Sequence, residues 1–118
     1  MPVSTAKRTY FGQEYCPVAR TLEVVGDRWT LLVLRDVFLQ KRKFSEILES
    51  LHGISPNLLA DRLKRLEAAG LLTRRFYSSH PPRAEYILTD KGKAFGPVVK
   101  AIQEWGDEWE PEEHQTSR

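Results

Sequence analysis

The stretch 54–70, ISPNLLADRLKRLEAAG, constrains this chain more than any other, because it reads as one helix with both ends marked. Ser55 offers a hydroxyl to a first-turn amide, and Pro56 occupies the first helical position, where its missing N–H costs nothing. Gly70 follows the last turn, where a left-handed stop needs no side chain. Leu58 stands where Glu or Gln would complete a capping box, so the cap rests on Ser55 alone. At about 100° per residue, Leu59, Leu63, Leu66 and Gly70 share one narrow stripe, while Asn57, Asp61, Lys64 and Ala68 share the opposite one with Arg65 beside them. The polar stripe carries amide, acid and base at helical spacing, a set able to meet donors and acceptors on base edges. A merely solvated helix produces a similar pattern, so the surroundings must decide its meaning.

Charge is the first of those surroundings. The chain of 118 residues suits one domain and carries a net charge of +2, but the charge is unevenly placed. From Glu110 onward the tail is −2, whereas residues 41–83 hold nine Lys or Arg against four acids, a net +5. A patch of that sign favours a polyanion through counterion release.

Taken in order, residues 1–12 read as a flexible, mildly basic arm in which Tyr10 and Phe11 are apolar enough to dock, as is Tyr15 just beyond it. The domain itself is expected over 13–109, and a disordered acidic tail over 110–118. A first helix is predicted over 17–25, with Cys16 at its cap, Val18, Leu22 and Val25 on one face, and Gly26 ending it. Asp27 then caps a second helix over 28–39, whose Trp29, Leu31, Leu32, Val33, Leu34, Val37 and Phe38 leave almost no polar face and so place it at the centre of the core. After a basic loop over 40–43, Ser45 caps a short third helix to residue 51 that buries Ile47, Leu48 and Leu51, and His52 and Gly53 turn the chain toward Ser55.

A short helix, a tight turn containing Gly, and a longer helix with a polar face describe a helix-turn-helix. The next segments, 71–77 and 83–88, are rich in β-branched and aromatic residues and flank Ser78, Ser79, His80, Pro81 and Pro82, a hairpin with a stiffened tip. Arg74, Arg75 and Arg83 gather on it, as expected of a wing laid against phosphates or a minor groove, with His80 assisting at the tip. Thr89 caps a last helix in which Phe95, Val98, Val99, Ile102, Trp105 and Trp109 recur at three and four residues. Pro97 predicts a bend or a late start costing up to about 3 kcal/mol. Two large indoles at the end of an already closed domain predict a homodimer interface over Val98, Ile102, Trp105 and Trp109, against the alternative that the indoles fold back on their own domain. The fold class expected is α+β, mainly α: a winged helix-turn-helix with terminal dimerisation helices.

Four stretches then carry a resemblance: CPVARTLEVVGDRWTLLVLRD, KFSEI, GISPNLLADRLKRLEAAGLL and PPRAEYILTDKG. In order and spacing they resemble the HxlR family of bacterial winged-helix transcriptional regulators over residues 16–109. The sequence departs from the family in GDRW, where two glycines and Lys are more frequent, and at Ala84, where Val is; neither lies on the polar stripe. The resemblance implies a homodimer whose N- and C-terminal helices build the interface, with the helix from Pro56 in the major groove of a palindromic operator and the wing beside it. It further implies repression, sometimes activation, of adjacent genes.

The residues expected at DNA are Ser55, Asn57, Asp61, Arg62, Lys64, Arg65, Arg74, His80 and Arg83. Asn57 suits adenine and Lys64 guanine, Ser55 and Arg65 are assigned to phosphates, and Asp61 either accepts from cytosine or orients Arg62 or Arg65. Cys16 stands before Pro17 at a helix start, where free amides and Arg20 one turn on favour a thiolate. Its other reading is a small hydrophobe filling space near the interface. Similar regulators carry an N-terminal cysteine that senses electrophiles or oxidants, so the resemblance implies redox sensing by Cys16, with a small electrophile or effector as a further partner.

Other classes are disfavoured on the same residues. A winged helix used only for protein contact would carry acids or apolar groups on wing and helix, and here both are basic. An enzyme is not expected: Cys16 has no second cysteine to resolve an oxidised intermediate, and no catalytic triad, paired carboxylates or glycine-rich phosphate loop stands out. His52, His80, His114 and Cys16 lack close ligand spacing, so no metal or cofactor is expected. No apolar run approaches the roughly 20 residues that span a bilayer, and MPVSTAKRT lacks a hydrophobic signal segment, so a cytoplasmic protein is expected.

Overall fold

The computed structural model describes residues 13–112, so the expected arm 1–12 and the tail residues 113–118, with His114, lie outside the described residues. Six helices and one hairpin follow in the order α1 (Pro17–Val25), α2 (Thr30–Phe38), α3 (Phe44–Ser50), α4 (Pro56–Ala68), β1 (Leu72–Ser79), β2 (Pro82–Leu88), α5 (Asp90–Lys93) and α6 (Gly96–Trp109). The α2 helix lies at the centre, touching α1, α3, α4, α6 and β2, and its Val33, Leu34 and Val37 are wholly buried with Ile47, Leu59, Leu63 and Leu66. The core therefore sits where the apolar patterning placed it. The patterning missed two buried polar groups of α2: Thr30, and Asp36, whose Oδ1 accepts from Arg35 Nη2 at 2.9 Å.

The junction of α1 and α2 differs from expectation in its bounds. Regular helix begins at Thr30 and ends at Phe38, not over 28–39, because Asp27 gathers the preceding turn onto its own carboxylate. Oδ1 accepts from the Trp29 amide at 2.8 Å and the Thr30 amide at 3.0 Å, and Oδ2 accepts from the Thr30 hydroxyl at 2.5 Å. Arg62 Nε of α4 lies 3.2 Å from Oδ1, a charge contact rather than an aligned hydrogen bond. Burial pushes the Asp27 pKa up, but the Thr30 hydroxyl, the Trp29 and Thr30 amides and the Arg62 charge outweigh it and hold the carboxyl below its ordinary 3.8. A carboxyl so depressed contributes stability that is fully present above about pH 4 and is lost as pH falls through the folded-state value. Asp27→Asn keeps an amide acceptor while removing the charge. It is expected to cost about 1 kcal/mol at pH 7 and to flatten the acid loss below about pH 4. Urea titrations at pH 7 and pH 3 check this, and an unchanged acid slope in the variant would refute it.

The expected cap of α3 at Ser45 is also corrected. Helix begins at Phe44, after Lys43, because Glu46 reaches back: its Oε1 accepts from the Lys43 amide at 3.0 Å and the Arg42 amide at 3.1 Å. Those two bonds hold the Glu46 carboxyl below its ordinary range, the Lys43 amide contributing most. Residues 51–55 make the turn into α4. Positive φ at Gly53 (95°) and Gly70 (86°) marks the two places flanking α4 where a side chain would be strained. Ser55 Oγ accepts from the Leu58 amide at 3.1 Å, the predicted cap.

The hairpin is antiparallel, pairing Leu72 with Leu88 and Arg75 with Glu85, and it runs further toward its tip than the expected 71–77 and 83–88. Pairing of Ser78 with Arg83 and of Ser79 with Pro82 extends the strands, and a register shift at Tyr77 accommodates the odd residue. Lys43 adds an isolated bridge to Glu85, and the Tyr86 amide donates to the Arg42 carbonyl at 2.8 Å, so the loop before α3 braces the wing's root. The predicted last helix is two. Thr89 Oγ1 accepts from the Gly92 amide and caps the short α5, and α6 restarts at Gly96 with Pro97 in its first turn, where no ladder bond is lost. Among the described residues no helix is long and apolar enough to cross a membrane.

Candidate nucleic-acid interface

The α4 helix is held from behind by Leu59, Leu63 and Leu66, each at most 1% exposed, so its orientation is set by the core rather than by its polar groups. Asn57, Asp61, Lys64 and Arg65 lie exposed on the side away from those leucines, with Ser55 at the N-terminal edge. Asp61 is engaged: its Oδ2 contacts Arg62 Nη1 and stands 3.9 Å from Arg65 Nη1. Of its two predicted roles, orienting a neighbouring guanidinium matches these contacts.

Arg62 lies apart from that exposed row. It was expected among the DNA contacts, yet its side chain is only 17% exposed and lies against Asp27 and Asp61. Position 62 falls on the flank of the leucine stripe of α4, about 40° beyond the Leu66 direction, so the guanidinium ties α4 to the turn before α2.

Beside α4 stands the wing. Arg74 Nε pairs with Glu67 Oε2 of α4 at 3.0 Å, and its guanidinium lies 5.5 Å from the Phe76 ring centroid. Tyr86 joins this root cluster: burial, then the Glu67 charge, raises its phenol above the ordinary 10.0, with Arg74 opposing. Arg75 Nη2 meets Glu85 Oε1 at 2.9 Å across the strands. Arg83 is exposed on β2, and His80 at the tip places Nδ1 3.1 Å from Ser79 Oγ.

Between the wing and the start of α3 lies a cleft of about 410 Å³ lined by Lys43, Phe44, Ser45, Arg74, Phe76, Tyr77, Arg83, Ala84 and Tyr86. Lys43 stands over the Tyr77 ring at 5.1 Å. The sequence reading missed Lys43, Phe76 and Tyr77 as members of this surface; the signal was the aromatic pair directly after Arg74 and Arg75, in a strand with two consecutive exposed hydrophobes. Cys16 is a partly buried free thiol before Pro17, and its carbonyl accepts from the Arg20 amide at 3.0 Å. Arg20 Nη1 turns back to the Glu14 carbonyl at 2.6 Å. Val98, Ile102, Trp105 and Trp109 are all exposed, the indoles at 62% and 64%, so neither indole folds back on its own domain; Val18 and Leu22 of α1 are exposed as well. Among the described residues no group of three or more His, Cys, Asp or Glu could hold a metal.

A helix-turn-helix whose second helix shows a polar outer face, followed by a basic hairpin wing, defines a winged helix-turn-helix of the DNA-binding regulator class. The chain belongs to the HxlR-like helix-turn-helix family, whose model matches residues 24–114, a family of transcriptional regulators rather than enzymes. It is 40% identical over 111 residues to the HTH-type transcriptional regulator Rv3095 of Mycobacterium tuberculosis, covering 94% of this chain and 68% of that protein. The reduced form of the redox regulator HypR is similar with a TM-score of 0.74 and 33% identity, over 79% of this chain and 92% of that one. The reduced form of the transcriptional regulator YodB from B. subtilis gives a TM-score of 0.68 and 33% identity, over 83% and 96%.

Proposed function

We propose that this DNA-binding regulator is a homodimeric repressor of a palindromic operator, with α4 in the major groove. Asn57 reads adenine and Lys64 guanine, Ser55 and Arg65 hold phosphates, and Asp61 orients Arg65. Arg74, His80 and Arg83 follow the backbone or minor groove along the wing. One observation carries the reading: the exposed row Asn57, Asp61, Lys64 and Arg65 sits on a helix fixed from behind by three buried leucines, next to a basic wing. Selection from random duplexes followed by salt titration tests it. Affinity for the selected site should fall steeply with salt, and absence of binding at low salt would sink the reading.

The wing has its own test. Arg83→Ala is expected to weaken preferred and random duplexes alike and to flatten the salt slope by about one charge. A loss confined to one base position would contradict a phosphate role.

Dimerisation is supported by the exposed apolar row Val98, Ile102, Trp105 and Trp109, with Val18 and Leu22 as further unburied apolar surface. A two-fold pair would bring two copies of α4 to successive turns of duplex. Sedimentation of the parent and of Trp105→Ala with Trp109→Ala tests this, and equal masses would refute it.

Redox control through Cys16 completes the proposal. Relatives at 33–34% identity include oxidised HypR and diamide-treated YodB, and Cys16 stands at the start of α1 as a free thiol. A two-electron oxidant that joins two Cys16 thiols in an intersubunit disulfide, or Cys16 and a small thiol in a mixed disulfide, or an electrophile that alkylates Cys16, would shift the paired α4 helices relative to the groove. Diamide should change the gel shift of the parent but not that of Cys16→Ser; equal responses would leave Cys16 only a packing role.

A further inference from the structure

We propose that the hollow between α1 and the joint linking α4 to α5 is a binding site for a small apolar carboxylate, and that its occupancy acts on α4 through Lys91. The hollow measures about 280 Å³. Its apolar lining includes Pro17, Val24, Val25, Leu71 and Phe95, Thr21 adds a hydroxyl, its cations are Arg20 and Lys91, and no acid is among its lining residues. Two cations set against aliphatic and aromatic surface ask for a ligand with one anionic end and one apolar body. A hydrated inorganic anion would leave the apolar surface wet, and a hydrocarbon would leave the cations without a counter-charge.

Both cations are held in place without being saturated. Arg20 spends Nη1 on the Glu14 carbonyl, and Lys91 Nζ donates to the Ala69 carbonyl at 2.7 Å. A guanidinium has five donors and an ammonium three, so each can still take a carboxylate oxygen. The cationic side of the hollow also faces away from the exposed apolar residues of α1, although Val25 of its lining shares their face. Val18 and Leu22 project from α1 roughly 100° or more around its axis from Arg20 and Val24.

Lys91 gives the site its leverage. Ala69 is the C-cap of α4, and the next carbonyl, that of Gly70, accepts from Thr89 Oγ1 at 2.5 Å. The end of α4 is therefore tied to α5 through Lys91 and Thr89. A bound carboxylate that draws Nζ toward itself weakens one of those ties, and by linkage ligand and duplex then alter each other's affinity by the same factor. That consequence rests on reading α4 as the DNA-contacting helix, whereas the binding site does not.

Benzoate serves as the probe and benzamide as its neutral twin, titrated into the ¹⁵N-labelled full chain without DNA. Benzoate should move the amides of Arg20, Leu71 and Lys91 saturably, with benzamide weaker by about tenfold or more. Arg20→Met with Lys91→Met should remove that preference while leaving the spectrum dispersed. Equal titration by both probes, shifts centred on α6, or no shift up to about 50 mM would overturn the site. Saturable benzoate binding that leaves the affinity for duplex unchanged would overturn the coupling through Lys91.

Discussion

Replacing Asn57 and Lys64 together by alanine is expected to leave the fold intact and to lower affinity for the preferred duplex by about 2–6 kcal/mol, on the basis of about 1–3 kcal/mol for each base-edge contact. Neither side chain touches the core: both are exposed on the face of α4 away from Leu59, Leu63 and Leu66. Random duplexes should lose much less, because Asn57 carries no charge and contributes only where its amide meets a matching base. Lys64 retains a nonspecific component through its charge, so its removal should also flatten the salt slope slightly. Parallel binding curves on preferred and random duplexes check this. If affinity for the preferred site stays within about 0.5 kcal/mol of the parent, the reading face lies elsewhere.

Gly92→Ala should produce the largest loss of stability among glycine-to-alanine changes at the described residues. A Cβ at Gly92 would lie 2.1 Å from the Leu71 carbonyl oxygen and 3.1 Å from Leu88 Cδ2, and the nearer atom is backbone. That carbonyl already accepts from the Thr89 amide at 3.0 Å, so relief by moving either segment breaks the joint between α4, β2 and α5. The expected cost is about 3 kcal/mol, lowering the melting temperature by roughly 10–20 °C in a domain of this size. A thermal melt within about 3 °C of the parent would show that the approach relaxes without loss. Because α5 secures the end of α4, duplex binding should weaken with it even where the variant remains folded.

Much of this protein follows from short-range chemistry. The start of α4 at Ser55 and Pro56, its stop near Gly70, and its inner stripe of leucines are readable because capping and helical period are local properties, and each survives in the structure. The hairpin was legible for a similar reason, since β-branched and aromatic runs flanking two prolines allow few alternatives. The polar row of α4 was equally visible, as the complement of a stripe that must be buried.

Tertiary structure decided what each charge does. Arg62 and Lys64 are two residues apart and equally basic in sequence, yet Arg62 lies against Asp27, 35 positions earlier, and only the packing of α4 on α2 brings the two together. The loop before α3 joins the wing for the same reason: the bonds linking Arg42 and Lys43 to residues 85 and 86 depend on the hairpin folding back over α2. Asp36 is buried inside a run read as apolar because α2 is enclosed by neighbours that no local pattern specifies. Local sequence determines which segments become helix or strand, since capping and periodicity act within a few turns. Whether a polar side chain reads, braces or is buried is decided by long-range contacts, because burial and ion pairing depend on residues far apart in the chain.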